Sequence, residues 1–324
     1  MAAIWAVAEL AGGRPTRLSL ELATLARQLA QASGGTATVV AVGSGAAGAA
    51  KELAALGPRV IAVEAPTEGD RPAASVVAPR LAALAGEARP DVLLVSASPD
   101  GKDVAGFLSA RLDLPVLVNA AGVRWADGGP VVQMSTFGGR LGTDSAFTHG
   151  RGIVLVRPGT VTAEPALAPG AVETADPAPS AELPPVRVVE RVVQAGAAAS
   201  IDDARVVVAG GRGVGGPEGF RIVEELADAF GGAVGGTRAV VDAGWLPYSQ
   251  QIGQTGKIIK PALYVATGIS GAIQHKVGMQ TSGTIVAINR DPDAPIVEFA
   301  DLVVVGDLFE IVPRLTAAVR ARRG

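Results

Sequence analysis

Apolar runs of strand length alternate with Ala- and Leu-rich stretches of helical length, and the alternation runs through the chain twice. Buried strands joined by helices that cross back over them make a parallel sheet, so this pattern restricts the chain to an α/β architecture. In the first half, strands are predicted over 4–8, 36–42, 60–63 and 92–96, and helices over 17–31, 46–55, 73–88 and 103–112. From Val116 the character changes to shorter strands over 116–123, 131–137 and 153–157, broken at Gly128-Gly129 and Gly138-Gly139. Glycine pairs of this kind mark reversals, so these strands are expected to run antiparallel at the end of the sheet.

The stretch 163–185 holds six prolines and little periodicity, which makes it a surface connector, partly extended in the polyproline manner. Valines return over 186–193 as a further strand. The alternation then restarts, with strands predicted over 205–209, 239–242, 263–266, 284–288 and 302–305 and helices over 218–230 and 307–323. A chain of 324 residues exceeds what one hydrophobic core usually serves. The break divides it into domains 1–195 and 196–324, each a mostly parallel sheet with flanking helices, and the small residues of 195–203 suit a hinge. In open sheets of this kind ligands bind beyond the carboxyl ends of the strands. The loops opening at Gly210, Thr267, Asn289 and Gly306 are therefore expected to converge on one crevice.

Composition removes several chemistries. There is no cysteine, which excludes disulfides, thiol catalysis and iron–sulfur clusters. The two histidines, His149 and His275, argue against a histidine-based metal site. A net charge of −3 offers nothing to nucleic acid or to an anionic membrane. The amino terminus has no basic lead, its apolar run breaks at Glu9, and no window approaches the roughly 20 apolar residues of a membrane helix. A cytoplasmic protein without membrane insertion is expected, and any redox work must fall to a bound organic cofactor. No Ser/His/Asp order or carboxylate pair stands out as a catalytic set.

Three segments and two further residues carry candidate chemistry. Residues 211–216 fit G-x-G-x-x-G after a strand and before a helix, which reads either as a tight turn or as a phosphate cradle. The acidic residue expected about 20 positions on is missing from the next strand, because Glu224, Glu225 and Asp228 lie on the helix; this disfavours a standard dinucleotide dehydrogenase. Residues 250–257 are polar and glycine-rich between two buried strands, either a plain loop or a set of donors for the edge of a heterocycle. Residues 263–275 form a strand, a glycine turn and a helix start, where Ser270 is a candidate cap and His275 is either a satisfied histidine or a ligand contact. Asn289 and Asp307 each follow a strand, as turn formers or as ribose and adenine contacts.

Together, GGRGVGG, the Thr237-Arg238 pair followed by AVVDAGW, QIGQTGK, LYVATGISGAIQH, IVAINRDPDAPI and ADLVVVGDL closely resemble the FAD-binding domain of electron-transfer flavoprotein α subunits. The first half is similar more loosely, through WAVAEL, PDVLLVSASPDGKD and FGGRLGT, with Leu10 where the family usually has histidine. The resemblance implies a Rossmann-like FAD-binding second domain in a redox carrier that has no substrate chemistry of its own. By position it implies FAD contacts at Arg212, at Thr237 in a place often held by serine, and at Arg238 over the flavin ring. Ile252, Gly253, Gln254 and Thr255 are implied along the isoalloxazine, with Thr255 near N5. Ser270, Gly271, Ala272, Ile273, Gln274 and His275 are implied at the pyrophosphate and ribityl portion, His275 reaching the pyrimidine side. Asn289, Asp307 and Leu308 are implied at the adenosine end, and Arg238, Thr255 and His275 as the groups that tune the flavin.

The resemblance further implies a heterodimer with a separate β subunit, which carries AMP, contacts the first domain and completes the pocket. Electrons would arrive from flavoprotein dehydrogenases, such as the acyl-CoA dehydrogenases of fatty acid oxidation, and leave to a quinone oxidoreductase. Two other functions fit the residues alone: an NAD-dependent oxidoreductase using the glycine turn, and a nucleotide-binding scaffold.

Overall fold

A computed structural model describes residues 1–67, 71–136, 141–179, 186–190, 201 and 204–323, and the chain divides into two compact units, Met1–Val192 and Val193–Gly324. The first unit opens with β1 (Ala3–Ala8), the short hairpin β2 (Leu10–Ala11) and β3 (Arg14–Pro15), and helix α1 (Arg17–Ser33). There follow β4 (Thr36–Gly43), α2 (Ala46–Ala54), β5 (Arg59–Glu64), α3 (Ala73–Ala88), β6 (Val92–Ser96) and α4 (Pro99–Leu112). Next come β7 (Val116–Ala126), β8 (Gly129–Thr136), β9 (Leu141–Ala146), β10 (Gly152–Val156) and β11 (Val172–Thr174). The sheet order is β11-β5-β4-β1-β6-β10-β7-β8-β9, parallel as far as β7 and antiparallel across β7, β8 and β9.

The antiparallel end is where Gly128-Gly129 placed it, Gly138-Gly139 lying outside the described residues, and four expectations need correction. The strand over 153–157 is not part of that ribbon: β10 lies between β6 and β7, parallel to both, because its five residues are all buried, as befits an interior parallel strand. The proline-rich connector contributes β11, whose three exposed residues cover the edge of β5, with Glu173 bonded to Arg59 Nε at 2.7 Å. Residues 186–190 form no strand; 191–193 and, apart from Ile201, the expected hinge over 195–203 lie outside the described residues. Helix α4 starts at Pro99, a turn earlier than expected, since Ser98 caps it through Gly101 N–H at 2.8 Å and proline needs no donor in a first turn.

The second unit runs β12 (Val206–Gly210), α5 (Phe220–Phe230), β13 (Ala233–Gly236), α6 (Arg238–Asp242) and β14 (Leu263–Thr267). It closes with α7 (Ile273–Met279), β15 (Thr284–Asn289), β16 (Leu302–Val305) and α8 (Leu308–Arg323). The five strands are all parallel in the order β13-β12-β14-β15-β16, a doubly wound sheet whose order reverses between β12 and β14. Both faces are covered: Phe220, Val223 and Leu226 of α5 and Val312 of α8 pack on one, and Ile252, Ile259, Ile269 and Met279 on the other.

The strand expected over 239–242 is instead helix α6, and the strand is the preceding Ala-Val-Gly-Gly. Glycine is a poor strand former by propensity, yet it is required here. A Cβ on Gly235 would stand 2.3 Å from Ile252 Cδ1, and one on Gly236 2.6 Å from Leu246 Cδ1. The strand is narrow so that the segment 246–252 can lie against it, and Thr237-Arg238 thereby falls at a strand's carboxyl end.

Candidate functional site

A cleft of about 620 Å³ opens at the carboxyl ends of the second unit's strands, lined from the turns after β12, β13, β14, β15 and β16; this size is usual for a small-molecule or cofactor site. The turn after β12 is stitched to the turn after β14, with Gly211 N–H donating to Thr267 O and Gly213 N–H to Gly268 O, both at 3.0 Å. A Cβ on Gly213 would stand 2.7 Å from Gly268 Cα, so the glycine pattern serves contact between two backbones at the switch point. Residues 212–214 form a short 3-10 turn and α5 begins only at Phe220, which makes 211–216 a tight turn rather than the mouth of a helix. After β13, Thr237 N–H donates to Gly210 O at 3.1 Å, and its hydroxyl makes no cap bond to α6. After β15, Asn289 Nδ2 donates to Ile269 O at 2.9 Å while its Oδ1 accepts from Asp291 N–H at 3.1 Å, strapping the 268–272 turn in place.

The polar loop 250–257 is held on both sides. Ile252 N–H donates to Gly236 O at 2.9 Å and Gln254 N–H to Gln274 O at 2.8 Å. Gln251 is 2% exposed and donates from Nε2 to Thr255 Oγ1 at 3.0 Å, which leaves the threonine's own proton for a ligand. His275, 5% exposed, has Nδ1 3.1 Å from Ile252 O and Nε2 2.7 Å from Tyr264 Oη. A carbonyl only accepts, so Nδ1 carries the proton and Nε2 accepts from the tyrosine. Burial pushes the His275 pKa down to about 4, against a smaller upward pull from the Ile252 carbonyl, and burial pushes the Tyr264 hydroxyl up. Both side chains are neutral at physiological pH.

Of the residues singled out in the sequence, Arg212, Thr237, Arg238, Ile252, Gly253, Gln254, Thr255, Ser270, Gly271, Ala272, Gln274, His275, Asn289 and Leu308 line this one cleft. Ile273 and Asp307 do not. Ile273 is 42% exposed in the first turn of α7, and Asp307 caps α8, its Oδ1 accepting from Phe309 N–H at 2.8 Å. Ser270 is not the cap of α7, whose N-cap is Ala272 without a side-chain bond; its carbonyl accepts from Ile296 N–H at 3.0 Å. The lining also includes Asp242, Ile269, Arg290, Asp291 and Ala294. Asp242 was hidden by the strand reading of 239–242: the helix sets it one turn beyond Arg238, with Oδ2 3.2 Å from Arg238 Nε.

The lining suits FAD. Ile252, Ile269, Ala272 and Leu308 offer apolar walls, and Arg212, Arg238 and Arg290 bring three guanidinium groups. Arg238 is held by Asp242, whereas Arg212 and Arg290 form no ion pair among the described residues. A flavin needs flat apolar contact with donors at its edge, and a pyrophosphate needs uncommitted cations. Among the described residues, no cluster of three or more His, Cys, Asp or Glu side chains could hold a metal ion, and no helix is long and apolar enough to cross a membrane.

A doubly wound parallel sheet with a dinucleotide-sized cleft at its switch point defines a nucleotide-cofactor-binding domain. Residues 4–181 match the family model of the electron transfer flavoprotein domain, and residues 200–280 that of the electron transfer flavoprotein FAD-binding domain. The chain is 43% identical over 324 residues, all of both chains, to the electron transfer flavoprotein subunit alpha of Mycobacterium tuberculosis (strain ATCC 25618 / H37Rv). It is 41% identical over 336 residues, again all of both chains, to the subunit of that name from Mycobacterium leprae (strain TN). With that of Thermoanaerobacterium thermosaccharolyticum it shares 37% identity over 328 residues, covering 98% of this chain and 97% of the relative. The chain belongs to the electron transfer flavoprotein α-subunit family and carries that family's FAD-binding domain in its second half.

Proposed function

We propose that this chain is the FAD-bearing subunit of a heterodimeric electron carrier that takes electrons from flavoprotein dehydrogenases, such as acyl-CoA dehydrogenases, and passes them to a quinone oxidoreductase. Its partner is an electron-transfer flavoprotein β subunit, which contacts the first unit, carries AMP and completes the cofactor pocket. The observation that carries this reading is convergence: GGRGVGG, Thr237-Arg238, QIGQTGK, GISGAIQH and Asn289 all reach one cleft, in a chain of this family.

The flavin, when bound, supplies the store of electrons. The residues of the chain bind it and set its surroundings. Arg212 and Arg290 offer uncommitted positive charge to the two anionic groups of the pyrophosphate. Thr255, its oxygen already accepting from Gln251, has one proton to donate at the ring edge. The positive charge of the Arg238 guanidinium would favour negative charge on the reduced ring. Asp242 offsets part of that charge at 3.2 Å.

The visible spectrum of the full chain co-purified with its β subunit tests the reading. A flavin band that bleaches on mixing with a reduced acyl-CoA dehydrogenase is expected. A colourless complex that binds NAD or ATP instead would overturn it.

A further inference from the structure

Tyr264 is the second residue of β14 and has no exposed surface. A hydroxyl placed inside a sheet core destabilises the fold unless it is hydrogen-bonded, and its partner here is His275 Nε2, at 2.7 Å. The histidine passes the interaction on, through Nδ1, to the carbonyl of Ile252 at 3.1 Å. Donation runs one way along this chain. With the proton on Nε2 instead, a bare Nδ1 would face the Ile252 carbonyl, two acceptors with no hydrogen between them.

Ile252 is where the loop 252–255 enters the cleft, and the loop rests on α7 without slack. A Cβ on Gly278 would stand 2.3 Å from Gly253 N, and Gln254 N–H is bonded to Gln274 O at 2.8 Å. The Tyr264–His275 relay is the side-chain tie between β14, α7 and this loop, and Tyr264 itself is not among the cleft's lining residues. A fully satisfied buried polar chain of this kind rigidifies what it joins.

We propose that Tyr264 is a positioning residue of the cofactor cleft: its hydroxyl fixes His275 as the neutral Nδ1–H tautomer, and His275 in turn holds the Ile252 carbonyl and with it the loop 252–255. The proposal rests on the FAD reading for its consequence, slow release of the cofactor, and on geometry alone for the tautomer.

The experiment uses the heterodimer reassembled from the full chain labelled with 15N-histidine and a separately made β subunit. His149 is the other histidine of this chain, and a His149→Gln sample and an unlabelled β subunit leave His275 assigned. At neutral pH the wild-type ring of His275 should show a proton on Nδ1 and a bare Nε2. Tyr264→Phe removes one oxygen and keeps the ring volume; the His275 signals should leave that pattern and FAD should dissociate about tenfold faster. Val265→Ala, which weakens the same strand on its other face, should lower the melting temperature while leaving the ring pattern and the FAD release rate as in wild type. A proton on Nε2 in the wild type overturns the proposal, and that measurement needs no variant to fold. Unchanged ring signals or unchanged FAD release in Tyr264→Phe, or equally fast release in Val265→Ala, also overturn it. The tautomer is read whether or not FAD is present, so failure of the FAD reading shows separately, as a colourless wild-type complex.

Discussion

Two side chains of the cleft show how differently charge behaves when solvated and when buried. Arg238 is 66% exposed and Asp242 61%, so their pair contributes at most about 1 kcal/mol to stability; its importance is the net charge it presents to the cleft. Arg238→Ala should keep the fold and most of the FAD while lowering the flavin potential by roughly 30–60 mV, 59 mV being about 1.4 kcal/mol for one electron. Asp242→Asn keeps an acceptor for the guanidinium but removes the opposing charge, so the potential should rise by a similar amount. Redox titration checks both, and added salt should shrink both shifts because the groups are solvated. His275 is the buried case. Its pKa is about 4 in the folded chain against roughly 6.5 unfolded, so between these values the unfolded state binds the proton that the folded state refuses. Stability is therefore full above the unfolded pKa and falls with decreasing pH, by about 2 kcal/mol at pH 5. Urea unfolding at pH 7 and pH 5 reads this, and a His275→Gln chain should lose much less over the same interval.

At the scale of elements, what matters is which backbones have to touch. β13 admits no side chain at Gly235, where a Cβ would lie 2.3 Å from Ile252 Cδ1, whereas a Cβ on Gly216, the last glycine of the glycine-rich turn, would meet nothing within 4 Å. Gly235→Ala should therefore cost about 1–3 kcal/mol by overpacking and release FAD faster by displacing Ile252, while Gly216→Ala should do neither. Helix α8 and the 268–272 turn separate in the same way. Asp307→Ala removes a helix cap worth about 1 kcal/mol and should lower the melting temperature without changing FAD release. Asn289→Ala cuts the strap to Ile269 O and should speed FAD loss about tenfold, on the order of the 1–3 kcal/mol of a buried polar contact. Thermal melts and release rates measured side by side on these four variants test the assignment.

For the whole molecule, the cleft is built within the second unit. The chain alone is expected to hold FAD weakly, and co-expression with the β subunit to restore it, since whatever binds the native state stabilises it by mass action. Tight, stoichiometric FAD in the isolated monomeric chain would contradict this. The sequence by itself determined the α/β class, most strands and helices, and the motifs that meet at the cleft, because burial periodicity and glycine turns are local properties of a chain. It did not determine that β10 is an interior strand, that β11 edges the sheet, or that Ala-Val-Gly-Gly outcompetes Ala-Val-Val-Asp for the strand. Nor did it determine that Asp242 offsets Arg238, that Gln251 orients Thr255, or that Tyr264 holds His275. Those outcomes were decided by tertiary structure. Each depends on a van der Waals contact or hydrogen bond between residues that only the folded chain brings within a few ångströms, and such a contact overrides local propensity wherever a side chain has no room.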